Sequence, residues 1–147
     1  MRAARLLRVT LAAAFLSAVA DRFGLWGPPG APGVAWGNFE AFIGYTARLN
    51  FFAPSALIPL LAWTATAAEV ALAMLLLAGY RLREAAIASG LLLAAFAVTM
   101  TLALGVKAPL DYSVFTAAAA AFALAALEGS HAAEIAGREQ PVEREVQ

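Results

Sequence analysis

One run, SALIPLLAWTATAAEVALAMLLLAG from Ser55 to Gly79, limits this chain to few folds: it holds no basic residue and a single acid, Glu69. A hydrocarbon layer about 30 Å thick is crossed by roughly 20 apolar residues rising 1.5 Å each, so the run is long enough to span a bilayer. On a helix, Glu69 sits about 21 Å along from Ser55, some way from either surface. A carboxyl at that depth needs a proton or hydrogen-bond donors. Intramembrane acids usually face a bundle interior or a wet cavity, which makes Glu69 the first candidate site residue.

Three further stretches share this character. Residues 6–26 hold an apolar run extended by Phe23, Leu25 and Trp26, residues 85–104 carry no charge, and residues 109–127 open with Pro109 at a first-turn position and Asp111 just inside it. Composition agrees: 63% of the 147 residues are hydrophobic, 14% are charged, and mean hydropathy is +0.77, where a soluble domain is about half apolar. The expected fold is all-α: an integral membrane four-helix bundle over residues 1–127, followed by a polar cytoplasmic tail, 128–147, read as a frayed helix or disordered chain.

The first span admits a second reading. Arg2, Arg5 and Arg8 precede VTLAAAFLSAVA, which closes on Ala18, Val19 and Ala20 in the layout of a cleavable secretory signal. The length to Trp26, with an Asp-Arg pair and a tryptophan at the far end, favours a retained helix.

Residues 27–54 form a long connection. Glycines and prolines between Gly24 and Gly37 forbid a helix, after which Asn38 is placed as an N-cap with Glu40 in the first turn. Phe39, Phe42, Ile43, Thr46 and Leu49 recur at helical spacing. The reading adopted is a short helix lying in the membrane interface, anchored by Trp26, Trp36 and Tyr45; the sharper alternative is a lid over an outward-facing pocket. Basic residues set the topology. With both termini inside, Arg2, Arg5, Arg8, Arg81, Arg83, Arg138 and Arg144 are cytoplasmic and only Arg22, Arg48 and Lys107 lie outside, as the positive-inside rule requires.

This topology gathers polar residues far apart in sequence. Asp21, Arg22, Glu40, Arg48, Lys107 and Asp111 share the outer rim, and below them Ser17, Thr66, Glu69 and Thr99 lie at depths compatible with one interhelical hydrogen-bond network. The plainer reading has the rim charges solvating helix ends and the threonines bonding their own backbone carbonyls.

The absences narrow the chemistry. There is no cysteine, so disulfides, thiolate metal sites, iron–sulfur ligation and dithiol redox are excluded within the chain, and any redox role needs a borrowed cofactor or partner. Ten basic residues balance ten acidic ones without a clustered basic face, so no nucleic-acid partner is expected. The single histidine, His131, lies in the tail, which leaves no haem ligand in the spans and no Ser/His/Asp arrangement. Carboxylate metal binding is discounted because Arg22, Arg48 and Lys107 neutralise the same acids.

Several short segments carry a resemblance: Asp21-Arg22-Phe23 closing the first span, Thr66 and Glu69 as T-x-x-E in the second, Gly79, Tyr80, Arg81 and Arg83 in the turn after it, and GVKAPLDYS from Gly105 to Ser113. Together they resemble the DoxX family of small bacterial membrane proteins, over roughly Leu6 to Leu127. The resemblance implies a four-helix bundle in the bacterial cytoplasmic membrane, with relatives that are subunits of quinone-linked or other membrane redox complexes. It supplies no catalytic residues.

The expected function is thus an accessory or docking subunit of a membrane redox complex. It would hold no cofactor of its own beyond a bound quinone or lipid, would have an oxidoreductase as partner, and would form a homo-oligomer if its lateral surface is used. The alternative is a small proton-linked transporter or permease in which Glu69 changes protonation. A third possibility is a purely structural bundle.

Overall fold

The computed structural model describes residues 2–138, with side chains through Ser130, so His131 and the end of the tail lie outside the described side chains. Among the described residues there are six α-helices and no strands: α1 (Arg2–Arg22), α2 (Phe39–Leu49), α3 (Ile58–Ala78, entered through a single 3-10 turn at Ser55–Leu57), α4 (Leu82–Leu104), α5 (Lys107–Asp111) and α6 (Val114–Arg138). Three of them, α1, α3 with its entry turn, and α4, are long and apolar enough to cross a membrane; the apolar part of α6, Val114–Ser130, is shorter.

The four long helices pack in a ring in which α1 meets α3 and α6, and α4 meets α6 and α3. Their buried core lies at one end. Leu11 and Phe15 of α1, Leu72 and Leu76 of α3, Ala85 and Ala86 of α4, and Ala121 and Leu124 of α6 form a single cluster. Small residues allow the close approach that stands in for the hydrophobic effect between helices in lipid. At Gly90 on α4 an added Cβ would lie 2.6 Å from the Phe122 ring of α6, so that ring occupies the notch a side chain would fill. The remaining apolar surface is outward-facing: Leu60, Leu91, Val98 and Leu102 are all more than half exposed, as expected where acyl chains rather than protein complete the packing. The chain is a multi-pass membrane protein.

The other end of the ring is capped by α2, which contacts α1, α3 and α4. Asn38 caps α2 as its position suggested, accepting from the Ala41 amide at 2.8 Å. Two boundaries differ from expectation. The first helix stops at Arg22, because Gly24 and Gly27 take positive φ; Phe23, Leu25 and Trp26 are exposed turn residues, and the Trp26 indole bonds back to the Ser17 carbonyl at 3.0 Å. Pro109 does not open the last long helix. It lies inside the short α5, and α6 starts only after Ser113, whose φ of 56° breaks the helical path. At its far end α6 continues without a break from Leu127 to Arg138.

Candidate functional site

The last turn of α1 places two charged residues with separate tasks. Asp21 is buried and accepts three backbone amides from the long connection: Ala35 at 2.8 Å on Oδ2, and Trp36 at 3.0 Å and Gly37 at 2.9 Å on Oδ1. Three successive N–H groups converging on one carboxylate make a concave anion-binding turn, here satisfied by the protein itself. Gly37 permits it. Its φ is 70°, and an added Cβ would fall 2.4 Å from the Pro29 nitrogen, so neither the conformation nor the space accepts a side chain.

Arg22 turns the other way, into the bundle. Its Nη2 donates to Glu69 Oε1 at 2.7 Å and its Nη1 to Thr66 Oγ1 at 2.8 Å, while the Thr66 hydroxyl donates to the Ala62 carbonyl at 2.9 Å. Both ionic residues are 2% exposed. The guanidinium carbon lies 3.8 Å from the centre of the Phe42 ring and 5.4 Å from that of Trp36. A desolvated cation–π contact of this kind is worth on the order of 2 kcal/mol. Arg22 therefore joins α1, α3, α2 and the connection at one point. Glu69 Oε2 and Arg22 Nε are buried without a hydrogen-bond partner.

Both side chains stand in the wall of a cavity of about 1030 Å³ enclosed by α1, α3, α4 and α6 beneath α2. Trp36, Phe42, Tyr45, Thr46 and Leu49 line it from above, Ala65 and Ala68 from α3, and Leu92, Phe96 and Met100 from α4. Leu61 and Thr64 of α3, Ala95 of α4, Ala41, Gly44 and Arg48 of α2 and Tyr112 belong to the wall and are also exposed, so the cavity is open to its surroundings rather than sealed. Its size is decisive. Sealed and empty, it would cost roughly 25 kcal/mol at about 24 cal/mol per Å³, more than the 5–15 kcal/mol that typically holds a domain together. The wall is mostly apolar and gives water few partners, so the space suits an apolar guest better than water.

The other expected site residues lie elsewhere. Ser17 is exposed on α1, away from the cavity. Thr99 lines the cavity but spends its hydroxyl on the Ala95 and Phe96 carbonyls, each at 3.1 Å, as the plainer reading held, and does not reach Glu69. Lys107 and Asp111 pair with each other one helical turn apart on the surface. Glu40 is exposed, and Trp26 is tied to α1. Phe39 packs tilted against Trp63 at 4.1 Å between ring centres and stacks on Phe23 at 5.6 Å, an aromatic patch beside the cavity rather than in it. Arg48 and Tyr45 do line the cavity, and so do two residues the sequence reading missed, Asn50 and Tyr112. Burial pushes the Tyr45 phenol up from its ordinary range, with Tyr112 acting in the same direction and Arg48 opposing it. Among the described residues no three side chains cluster in a way that would hold a metal ion.

Comparison with known families decides the relationship. The family model described as methylamine utilisation protein MauE matches residues 1–111, three quarters of the chain. The chain belongs to the MauE family. This corrects the DoxX resemblance. The segments behind it were short polar marks on otherwise alanine- and leucine-rich helices, and such marks recur in any small bundle that must end its spans and turn. The MauE match takes in α1 to α5, and with them Asp21, Arg22, Thr66 and Glu69. No curated protein and no solved structure gives a significant match to this MauE-family chain.

Proposed function

We propose that this MauE-family chain is an accessory membrane subunit of an amine-utilising redox system, and that α2 with its preceding connection is a lid over an intramembrane cavity, latched by Arg22 and Glu69. The observation that carries the reading is the buried ion pair. A charge pair taken out of water costs several kcal/mol per ion before attraction offsets it, and apolar residues of similar volume serve stability as well or better. Specific positioning of α2 above the cavity is a reason to keep such a pair.

In this reading the chain crosses the bacterial cytoplasmic membrane four times, with α6 as the fourth span and both termini inside. The α2 end then faces outward, with Glu40, Arg48, Lys107 and Asp111 around its rim for an oxidoreductase partner to dock against. The first helix is retained: cleavage after Ala20 would remove Leu11, Ala12 and Phe15 from the core cluster. The subunit would act through a membrane amphiphile in the cavity, a quinone-like molecule or a lipid. An ion as small as methylammonium would occupy a small fraction of 1030 Å³, so the size of the cavity speaks against the carrier alternative for such a substrate.

The test is purification from native membranes in mild detergent. Near-stoichiometric recovery of an oxidoreductase, with no haem or flavin absorbance in the chain itself, is expected. Recovery of the bare chain alone would contradict the subunit role.

A further inference from the structure

Of the charged side chains in the cavity wall, Arg22 and Glu69 cancel each other, and the third is Arg48. Among the described residues Arg48 has no ion-pair partner. It sits in the last turn of α2; Tyr45, which lies within electrostatic reach of both Arg48 and Tyr112, shares the wall with it, as does Asn50. Asn50 donates its amide to the Thr46 carbonyl at 2.9 Å, which leaves its side-chain oxygen free as an acceptor; neither tyrosine hydroxyl makes a hydrogen bond within the described residues. The α2 end of the cavity thus presents one cation without an ion-pair partner among the described residues and two phenol donors above an apolar chamber.

We propose that the cavity binds a monoanionic amphiphile, its acidic head at Arg48 with the Tyr45 and Tyr112 hydroxyls and its hydrocarbon chain in the chamber below. The charge count selects an anion over a neutral head group, because the deeper pair adds no net charge. The upward shift of the Tyr45 phenol keeps it a neutral donor at physiological pH. Leu61 and Thr64 of α3 and Ala95 of α4 are both cavity wall and exposed surface, and entry from the bilayer would pass them. Charge-assisted hydrogen bonds of this kind are about twice as strong as neutral ones. The proposal rests on the cavity as a ligand chamber and does not depend on an oxidoreductase partner.

The test uses the full chain in lipid nanodiscs and a fluorescent fatty acid, with its methyl ester as the neutral control. The acid is expected to bind, the ester at least about tenfold more weakly. Arg48→Gln should erase most of that difference, Arg48→Lys should restore part of it, and Ala65→Trp should weaken both probes by intruding on the chamber. Displacement by unlabelled fatty acid alone identifies a free carboxylate as the ligand, and displacement by phosphatidylglycerol identifies a phospholipid; either result supports the site. Equal binding of acid and ester, an Arg48→Gln variant with unchanged preference for the acid, or displacement only by a neutral quinone would overturn it. Arg48 is exposed, so its variants are expected to fold, and a failed partner pull-down would leave these outcomes unaffected.

Discussion

Removing one member of the Arg22–Glu69 pair should damage the protein far more than removing both. In Glu69→Ala the guanidinium keeps Thr66 and the Phe42 ring but loses its counter-charge while still 2% exposed. Leaving a buried charge unpaired costs about 3–5 kcal/mol. At about 2–4 °C per kcal/mol for a chain of this size, the melting temperature in detergent should fall by roughly 10 °C. Arg22→Met strands the Glu69 carboxylate instead and should cost a similar amount. The double variant Arg22→Met/Glu69→Met replaces the pair by apolar side chains of comparable length and should return to within about 1–2 kcal/mol of the parent. The assay is a double-mutant cycle by thermal unfolding of detergent-solubilised protein, followed by intrinsic tryptophan fluorescence. Single variants that melt within about 2 °C of the parent, or a double variant whose loss equals the sum of the singles, would refute the reasoning.

Other consequences follow from the same geometry. Asp21→Asn removes the charge from three amide contacts and should lower stability by about 1–3 kcal/mol while speeding proteolysis within residues 27–37, read by limited digestion. Gly37→Ala should be worse tolerated than Gly33→Ala, since both glycines have positive φ but only Gly37 lacks room for a Cβ; expression yield and melting temperature report it. Gly90→Val should separate α4 from α6 by driving into Phe122, seen as a lower melting temperature and partly relieved by Phe122→Ala. If Glu69 carries protons in a transport cycle, Glu69→Gln abolishes vesicle transport; the latch reading expects no proton-coupled flux in the parent protein to begin with.

Much of the scaffold is legible in the sequence because lipid imposes a simple rule. Uncharged runs such as 85–104 and the isolated acid of 55–79 announce helices by length alone, and Asn38 announces α2 by its chemistry. Boundaries set by backbone conformation were not legible. Ser113 adopts a left-handed φ that its residue type does not advertise, so the proline rule put the start of α6 five residues too early, in α5. Phe23, Leu25 and Trp26 prolong an apolar run without prolonging the helix, because glycine geometry decides where it turns. The site was legible as an inventory, not as an arrangement. Asp21 and Arg22 read as one rim pair, whereas adjacent helical positions point about 100° apart, which sends one to the connection and the other to Glu69. Asn50 and Tyr112 gave no signal, since neither follows a helical period: one caps the end of α2, the other the end of α5, and only the fold brings both to one cavity wall.

The central claim is that the ion pair holds α2 closed over a chamber inside the membrane. Because the natural chain has no cysteine, a single Ala68→Cys substitution reports on that chamber directly through its reaction with a membrane-impermeant maleimide in intact vesicles. The account predicts slow labelling in the otherwise unaltered protein and labelling at least tenfold faster when Glu69→Ala is added. Equal rates in the two backgrounds, fast or slow, would contradict it.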